Sequence, residues 1–295
     1  MIPGYFHRLF LVKIILIFSL LFLIACAANR KTGKPMTLNY FEYNRGKSFP
    51  TRSDIGIRYG DSDYTFHHVY LEDESFFPDN SIIPNAFLSP LFDLKLLSAA
   101  DAFTEPYYNM RLLHFFKKKP RFGVGIELLH LKVFLINKDQ RVHMSGTYKG
   151  SPVDREVRIG DYLDLFNVSH GVNHVSLLFN YRWMLSKTPH ITDGRFQPFV
   201  SISAGPAAPH LELNLKDGDN VEKKAYSYQW GRHNWGMGMG FGTRYKPNRH
   251  FGLYFQYRLT YSHLHGMYFD NAPGTTRVRM DFFAHHLQWG ISIML

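Results

Sequence analysis

Sixteen histidines in 295 residues are the first chemical signal in this chain. Their positions matter more than their number. His67, His68, His130, His170, His174, His210, His233, His263, His265, His285 and His286 all fall near the ends of segments patterned as strands. His210 and Glu212 share one face of an extended chain, and alternation turns His174 and His286 toward the interior. Imidazoles joined by a carboxylate are a donor set for Zn²⁺, Fe²⁺ or Cu²⁺. His174, His210, Glu212 and His286 are therefore the candidate metal ligands, for an iron or another transition-metal ion. The same groups suit general acid–base work. Histidines also settle at a lipid headgroup interface, and no compact spacing such as H-E-x-x-H occurs, so both readings stand. An activated serine would need a Ser–His pair. Ser169-His170 and Ser262-His263 are neighbours in strands, so within each pair the side chains point to opposite faces.

The elements that must hold these side chains are β-strands. From Trp235, one face carries Trp235, Met237, Met239, Phe241 and Tyr245, while the other carries Gly236, Gly238, Gly240, Gly242 and Arg244. Phe251, Leu253, Phe255, Tyr257, Leu259 and Tyr261 then alternate with Gly252, Tyr254, Gln256, Arg258, Thr260 and Ser262. Leu287, Trp289, Ile291, Ile293 and Leu295 repeat the pattern against His286, Gln288, Gly290 and Ser292. Large apolar residues on one face and small or polar ones on the other, in consecutive strands with tight turns, are the code of an outer-membrane barrel. Five earlier strands are expected over 54–66, 106–116, 122–134, 172–183 and 196–213, the last bending near Gly205. The predicted fold is all-β, an eight-stranded antiparallel transmembrane barrel with long extracellular loops. Such a barrel is filled by its own side chains. Inward Glu127 is therefore expected to pair with Arg182, Arg244 or Arg258, and inward Gly240 to accept small polar residues. The short turns at 117–120 and 246–249 are assigned to the periplasm. The loops near 67–105, 136–169, 214–228 and 266–279 are assigned to the outside, with a short helix over 91–100.

The chain opens with His7, Arg8 and Lys13 around the apolar run 14–25, the layout of a secretory signal peptide over 1–26. The end of that run reads equally as a signal-peptidase site at Ala25-Cys26-Ala27 or, over Leu23-Ile24-Ala25-Cys26, as a lipobox on Cys26. That cysteine is the only one, so no internal disulfide forms. Residues 27–50 are polar and are expected to be an exposed lead-in, with the barrel over 51–295. A formal charge of +10 suggests nucleic acid in a cytosolic protein. In an exported one it suggests anionic lipid or lipopolysaccharide phosphates instead.

Several stretches resemble the lipid A oxidase-type outer-membrane barrels. They are Gly123-Val-Gly-Ile-Glu-Leu-Leu-His-Leu-Lys-Val-Phe134, Ser169-His-Gly-Val-Asn-His174, Gln197 to Glu212, Tyr257-Arg-Leu-Thr-Tyr-Ser262 and Pro106-Tyr107-Tyr108. The resemblance spans most of 54–295. It implies oxidation of the proximal glucosamine of lipid A at the outer leaflet of the bacterial outer membrane, using O₂ and a divalent metal. Glu127, His130, Lys132, His170, Asn173 and His174 then become the catalytic candidates, and His210 and Glu212 carry over with them. The implied partner is membrane lipid, acted on by a monomer, with no nucleic acid. The chain departs from the family in ending on Leu295 rather than an aromatic, and in its long 67–105 insertion. The competing expectation is a non-enzymatic barrel, structural or adhesive, that binds partners through its loops.

Overall fold

Period-two patterning in the C-terminal third is realised as long strands that run past the membrane-facing stretch. In the computed structural model, residues 38–73, 107–217, 220–224, 232–269 and 276–295 are described. The strands are β1 (Leu38–Pro50), β2 (Ser53–Tyr59), β3 (Ser62–Val69), β4 (Tyr108–Phe116), β5 (Lys119–Phe134), β6 (Arg141–Tyr148), β7 (Ser151–Arg158), β8 (Leu163–Arg182), β9 (Phe196–Pro209), β10 (Glu212–Asp217), β11 (Asn220–Lys224), β12 (Asn234–Tyr245), β13 (Phe251–Phe269) and β14 (Thr276–Met294). Eight of them pair antiparallel in the order β1-β4-β5-β8-β9-β12-β13-β14. The last returns onto the first, from Tyr40↔Met294 to Pro50↔Ala284, and the barrel closes with no free edge.

Three hairpins continue the wall beyond the barrel. Above Ala284, β14 leaves β1 and pairs with β2 through Arg277–Asp281. β2, β3, β6 and β7 then extend this outer sheet. β10 pairs with the outer end of β8, and β11 pairs with β10. The strand count agrees with the sequence expectation, but the membership differs. Residues 38–50 are the first barrel strand and not an exposed lead-in, while 54–66 belong to the outer sheet. In β1 the alternation is blurred because Tyr40 points inward and Arg45 and Lys47 stand in the outward phase. β9 passes through Gly205 and ends at Pro209. The expected signal peptide or lipobox and the helix over 91–100 lie outside the described residues.

The two faces of the wall follow the predicted code. Leu177 (66% exposed), Met239, Phe241, Ile202, Phe179 and Phe255 form an outward apolar belt. Aromatic contacts flank it at both levels, with Tyr181 against Phe122 and Trp183 at the short-turn end and Tyr261 against Trp235 and Phe283 at the other. An apolar belt between aromatic girdles is what a bilayer requires of a barrel's exterior. This is an eight-stranded outer-membrane barrel, with its short turns periplasmic and the outer sheet extracellular.

The interior has two zones. Toward the outside lies an apolar core that includes Ile55, Phe66, Leu129, Leu131, Phe166, Val172, Leu211, Leu264 and Met280. Below it the lumen is polar and tightly ion-paired. Glu127, fully buried, accepts from Arg111 Nε at 2.6 Å, Arg258 Nη1 at 2.9 Å, Asn109 at 3.1 Å and Ser203 at 3.2 Å. Arg244 pairs with Glu42, its Nε 2.8 Å from the carboxylate. Nearest the periplasm, Asp193 reaches inward to accept from Lys246 at 2.8 Å and Arg182 at 3.3 Å. So of the three arginines expected for Glu127 only Arg258 meets it. Gly240 is also less permissive than expected, because a Cβ there would fall 1.6 Å from Gln256 Nε2.

Candidate functional site

The wall divides the predicted site residues into two sets on opposite faces. Glu127, His174 and His286 point into the lumen. His130, Lys132, Asn173, His210 and Glu212 take the other face. The division follows from their neighbours: Leu129, Leu131 and Val133 on β5 join the interior core, so His130 and Lys132 between them face away. Leu211 and Leu213 join that core too, which sends His210 and Glu212 outward. Asn173 lies between inward Val172 and His174 and pairs across the ladder with His130. The expected convergence of His174, His210, Glu212 and His286 on one metal is therefore corrected. The barrel wall separates the first and last from the middle two, and these four do not fit a common ion. The side chain of His170 lies outside the described ones.

The lumenal set is structural in its contacts. His174 is 2% exposed, and its Nε2 lies 3.1 Å from Ser262 Oγ. His286 is fully buried, with its Nε2 2.7 Å from Thr260 Oγ1 and its ring beside Tyr107. Gly236 makes room for this layer, since a Cβ on it would come within 2.2 Å of His174 Cε1. His174 and Ser262 do form a Ser–His pair that neither local Ser–His dipeptide provides. The apolar core lies between that pair and the outside.

The outward set is organised around His130. Its ring stacks on Tyr108, with centroids 4.7 Å apart and planes 8° from parallel. Its Nδ1 lies 2.8 Å from Asn173 Oδ1. The Asn173 amide nitrogen donates to the carbonyls of Gly171 and Ala208, each at 3.2 Å, which fixes the amide's orientation. The oxygen facing His130 can only accept, so Nδ1 carries the proton and Nε2 is the basic nitrogen. Gly171 is held at φ +87°, and a Cβ there would meet His130 Cε1 at 2.4 Å. This conformation lets the His210 N–H reach the Gly171 carbonyl at 3.2 Å. Across the ladder the same row continues through Tyr108 to Arg45 and Trp289. Arg45, Tyr108, His130, Asn173 and His210 are all buried. Arg45 and the supporting glycines were not among the sequence candidates. Their signal was positional, being the registered neighbours of His130.

No protein-family model and no curated protein matches the sequence. Solved structures that are similar in shape are outer-membrane barrels. Neisserial surface protein A shares 6% identity at a TM-score of 0.32, covering 87% of this chain and 97% of that one. OprG from Pseudomonas aeruginosa shares 11% at 0.39, over 88% and 98%. The outer membrane protease OmpT from Escherichia coli shares 6% at 0.41, over 89% and 99%. Likenesses this distant carry nothing about chemistry, and the site has to be argued from its own residues.

Proposed function

We propose that the protein acts on lipid A at the outer leaflet, through the His130 strip on the exterior of its wall. One observation supports this: Arg45, Tyr108, His130 and Asn173 form a buried polar strip on the side of the wall away from the lumen, in register across four strands and one step beyond Leu128 and Val175. Arg45, Lys47 and Lys132 share the outward phase and give this side of the wall a positive charge of the kind that attracts headgroup phosphates. His130, with its tautomer set by Asn173, supplies a base whose Nε2 can take a proton from a sugar hydroxyl or ring carbon. His210 and Glu212 lie one step further out in the same phase. Oxidation of the proximal glucosamine is the finer form of this proposal, with O₂ as oxidant and a transition-metal ion as cofactor. His174, His210, Glu212 and His286 do not form that ion's common donor set, and no step is assigned to it.

The test is mass spectrometry of lipid A from cells with and without the protein, and with His130→Ala, His210→Ala and His174→Ala. A mass change that needs His130 and His210 but survives His174→Ala supports the external site. Unaltered lipid A in cells that carry the folded barrel refutes it. That outcome favours the second reading, partner binding by the outer sheet of β2, β3, β6 and β7, which projects beyond the membrane-facing wall.

A further inference from the structure

A second group of histidines lies on the other side of the barrel, away from the His130 strip. His263 and His265 on β13 point to the same side, with rings stacked at 3.8 Å between centroids. Both reach Asp281 on β14, His263 Nδ1 at 2.7 Å from Oδ1 and His265 Nε2 at 2.6 Å from Oδ2. Tyr261 donates to the same carboxylate at 2.8 Å. Trp235 stacks on His263 at 5.2 Å. The group therefore sits at the upper rim of the outer aromatic girdle, half exposed and open to the medium.

We infer that His263, His265 and Asp281 form a binding site for a divalent transition-metal ion of the Zn²⁺ class. The three donor atoms already lie within 4.8 Å of one another. Zn²⁺ holds imidazole nitrogen and carboxylate oxygen at about 2.0–2.2 Å, which puts tetrahedral ligands about 3.4 Å apart. The two imidazole–carboxylate contacts, which run to different oxygens of Asp281, open by about 0.7–0.8 Å to admit an ion, and wider donor separations, all within 4.8 Å, close toward the same spacing. Each imidazole that now donates to Asp281 moves its proton to its other ring nitrogen when it binds the ion. Two imidazoles and one carboxylate select against Mg²⁺ and Ca²⁺, which take oxygen ligands, and leave positions for water.

A second, independent feature points to a cation. Asp281 stands directly opposite Asp54 of β2 in the ladder. Like charges in that position are destabilising. Asp281 accepts from Tyr261 and lies against His263 and His265, and Asp54 accepts from the His68 N–H and lies against the His67 ring. The row continues from Asp54 to His67 at 2.9 Å and to His143, whose Nε2 lies 2.8 Å from Asp154. The His67 and His143 rings lie side by side along it, between Asp54 and Asp154. Arg279, the nearest cation on β14, is turned to Asp63 at 3.4 Å.

The experiment is Zn²⁺ titration of the untagged full chain, refolded in detergent, by isothermal calorimetry. It is repeated on His263→Gln, His265→Gln and Asp281→Asn, with His67→Ala as a variant outside the three-donor group. Heat-modifiability on gels reports folding in each case. The expected result is saturable binding by the wild-type chain, weakened at least about tenfold by each of the three substitutions and little changed by His67→Ala. Co²⁺ added to the wild-type chain is expected to give a ligand-field spectrum that Zn²⁺ bleaches and Mg²⁺ does not, a readout that survives any folding defect in the variants. No saturable Zn²⁺ binding, equal binding by all three variants, or competition by Mg²⁺ overturns the assignment.

Discussion

Replacing Glu127 with Gln tests whether the lumen is held by charge balance. The central cluster has two carboxylates, Glu42 and Glu127, facing three guanidiniums, Arg111, Arg244 and Arg258, for a formal charge of 3 − 2 = +1. All five groups are essentially excluded from solvent. Glu127→Gln raises the cluster to +2, strips a counter-charge from two buried guanidiniums and aims amide hydrogens at guanidinium hydrogens. Arg258→Gln lowers the cluster to 0 and leaves Glu127 its bond from Arg111 Nε. Removing one member of a buried ion pair costs about 3–5 kcal/mol. The glutamate substitution belongs at the upper end of that range and the arginine substitution at the lower. The double variant restores +1, so its cost should fall short of the sum by about 1–3 kcal/mol. The assay is equilibrium urea unfolding of the refolded barrel, followed by tryptophan fluorescence, with heat-modifiability as the fold check. A Glu127→Gln cost below about 1 kcal/mol, a larger cost for Arg258→Gln, or strict additivity refutes the charge-balance argument.

Three further outcomes follow from the same geometry. Phe255→Lys places a charge on the lipid face of β13 and should cost about 2–4 kcal/mol in the same unfolding assay; near-neutrality means that this face does not meet lipid. Gly236→Ala drives a methyl group into the His174 ring and should destabilise the barrel, while a variant as stable as wild type contradicts the packing of that layer. The Asp54 carboxyl is held below its ordinary value of 3.8. Its contribution to the outer sheet is therefore complete above that value and lost as pH falls through the lower folded value. The protection of β2 and β3 amides, measured by hydrogen exchange and corrected for the slowing of chemical exchange on acidification, should fall from pH 5 to pH 3, and less so in Asp54→Asn; an equal fall in both chains removes Asp54 from the effect.

What was legible in the sequence divides along a physical line. Alternation reports that a strand has two unlike faces, so β12, β13 and β14 could be placed and their facing assigned residue by residue. It does not report which sheet a strand joins or what medium its outer face meets. Ile55, Ile57 and Tyr59 alternate as well as any barrel strand, yet β2 packs its apolar side on the extracellular core. β1 carries Arg45 and Lys47 in its outward phase and reads as polar chain, yet it closes the barrel. The split of the candidate site, by contrast, was present as parity. On β5 the inward Glu127 and the outward His130 differ by an odd number of positions. On β8 Asn173 and His174 are adjacent. From inward Ser201 and Ser203 on β9, an even step never reaches His210. The two extra residues that β8 inserts near Gly171, between the registers Leu131↔Val172 and Val133↔Val168, preserve this parity. Facing therefore survives the irregularity that ends regular pairing. The distance between groups on neighbouring strands depends on register, which no single strand encodes. That is why His263 and Asp281, on two strands in the sequence, meet only through the register of β13 against β14, with His265 in the irregular stretch between Leu264 and Met267.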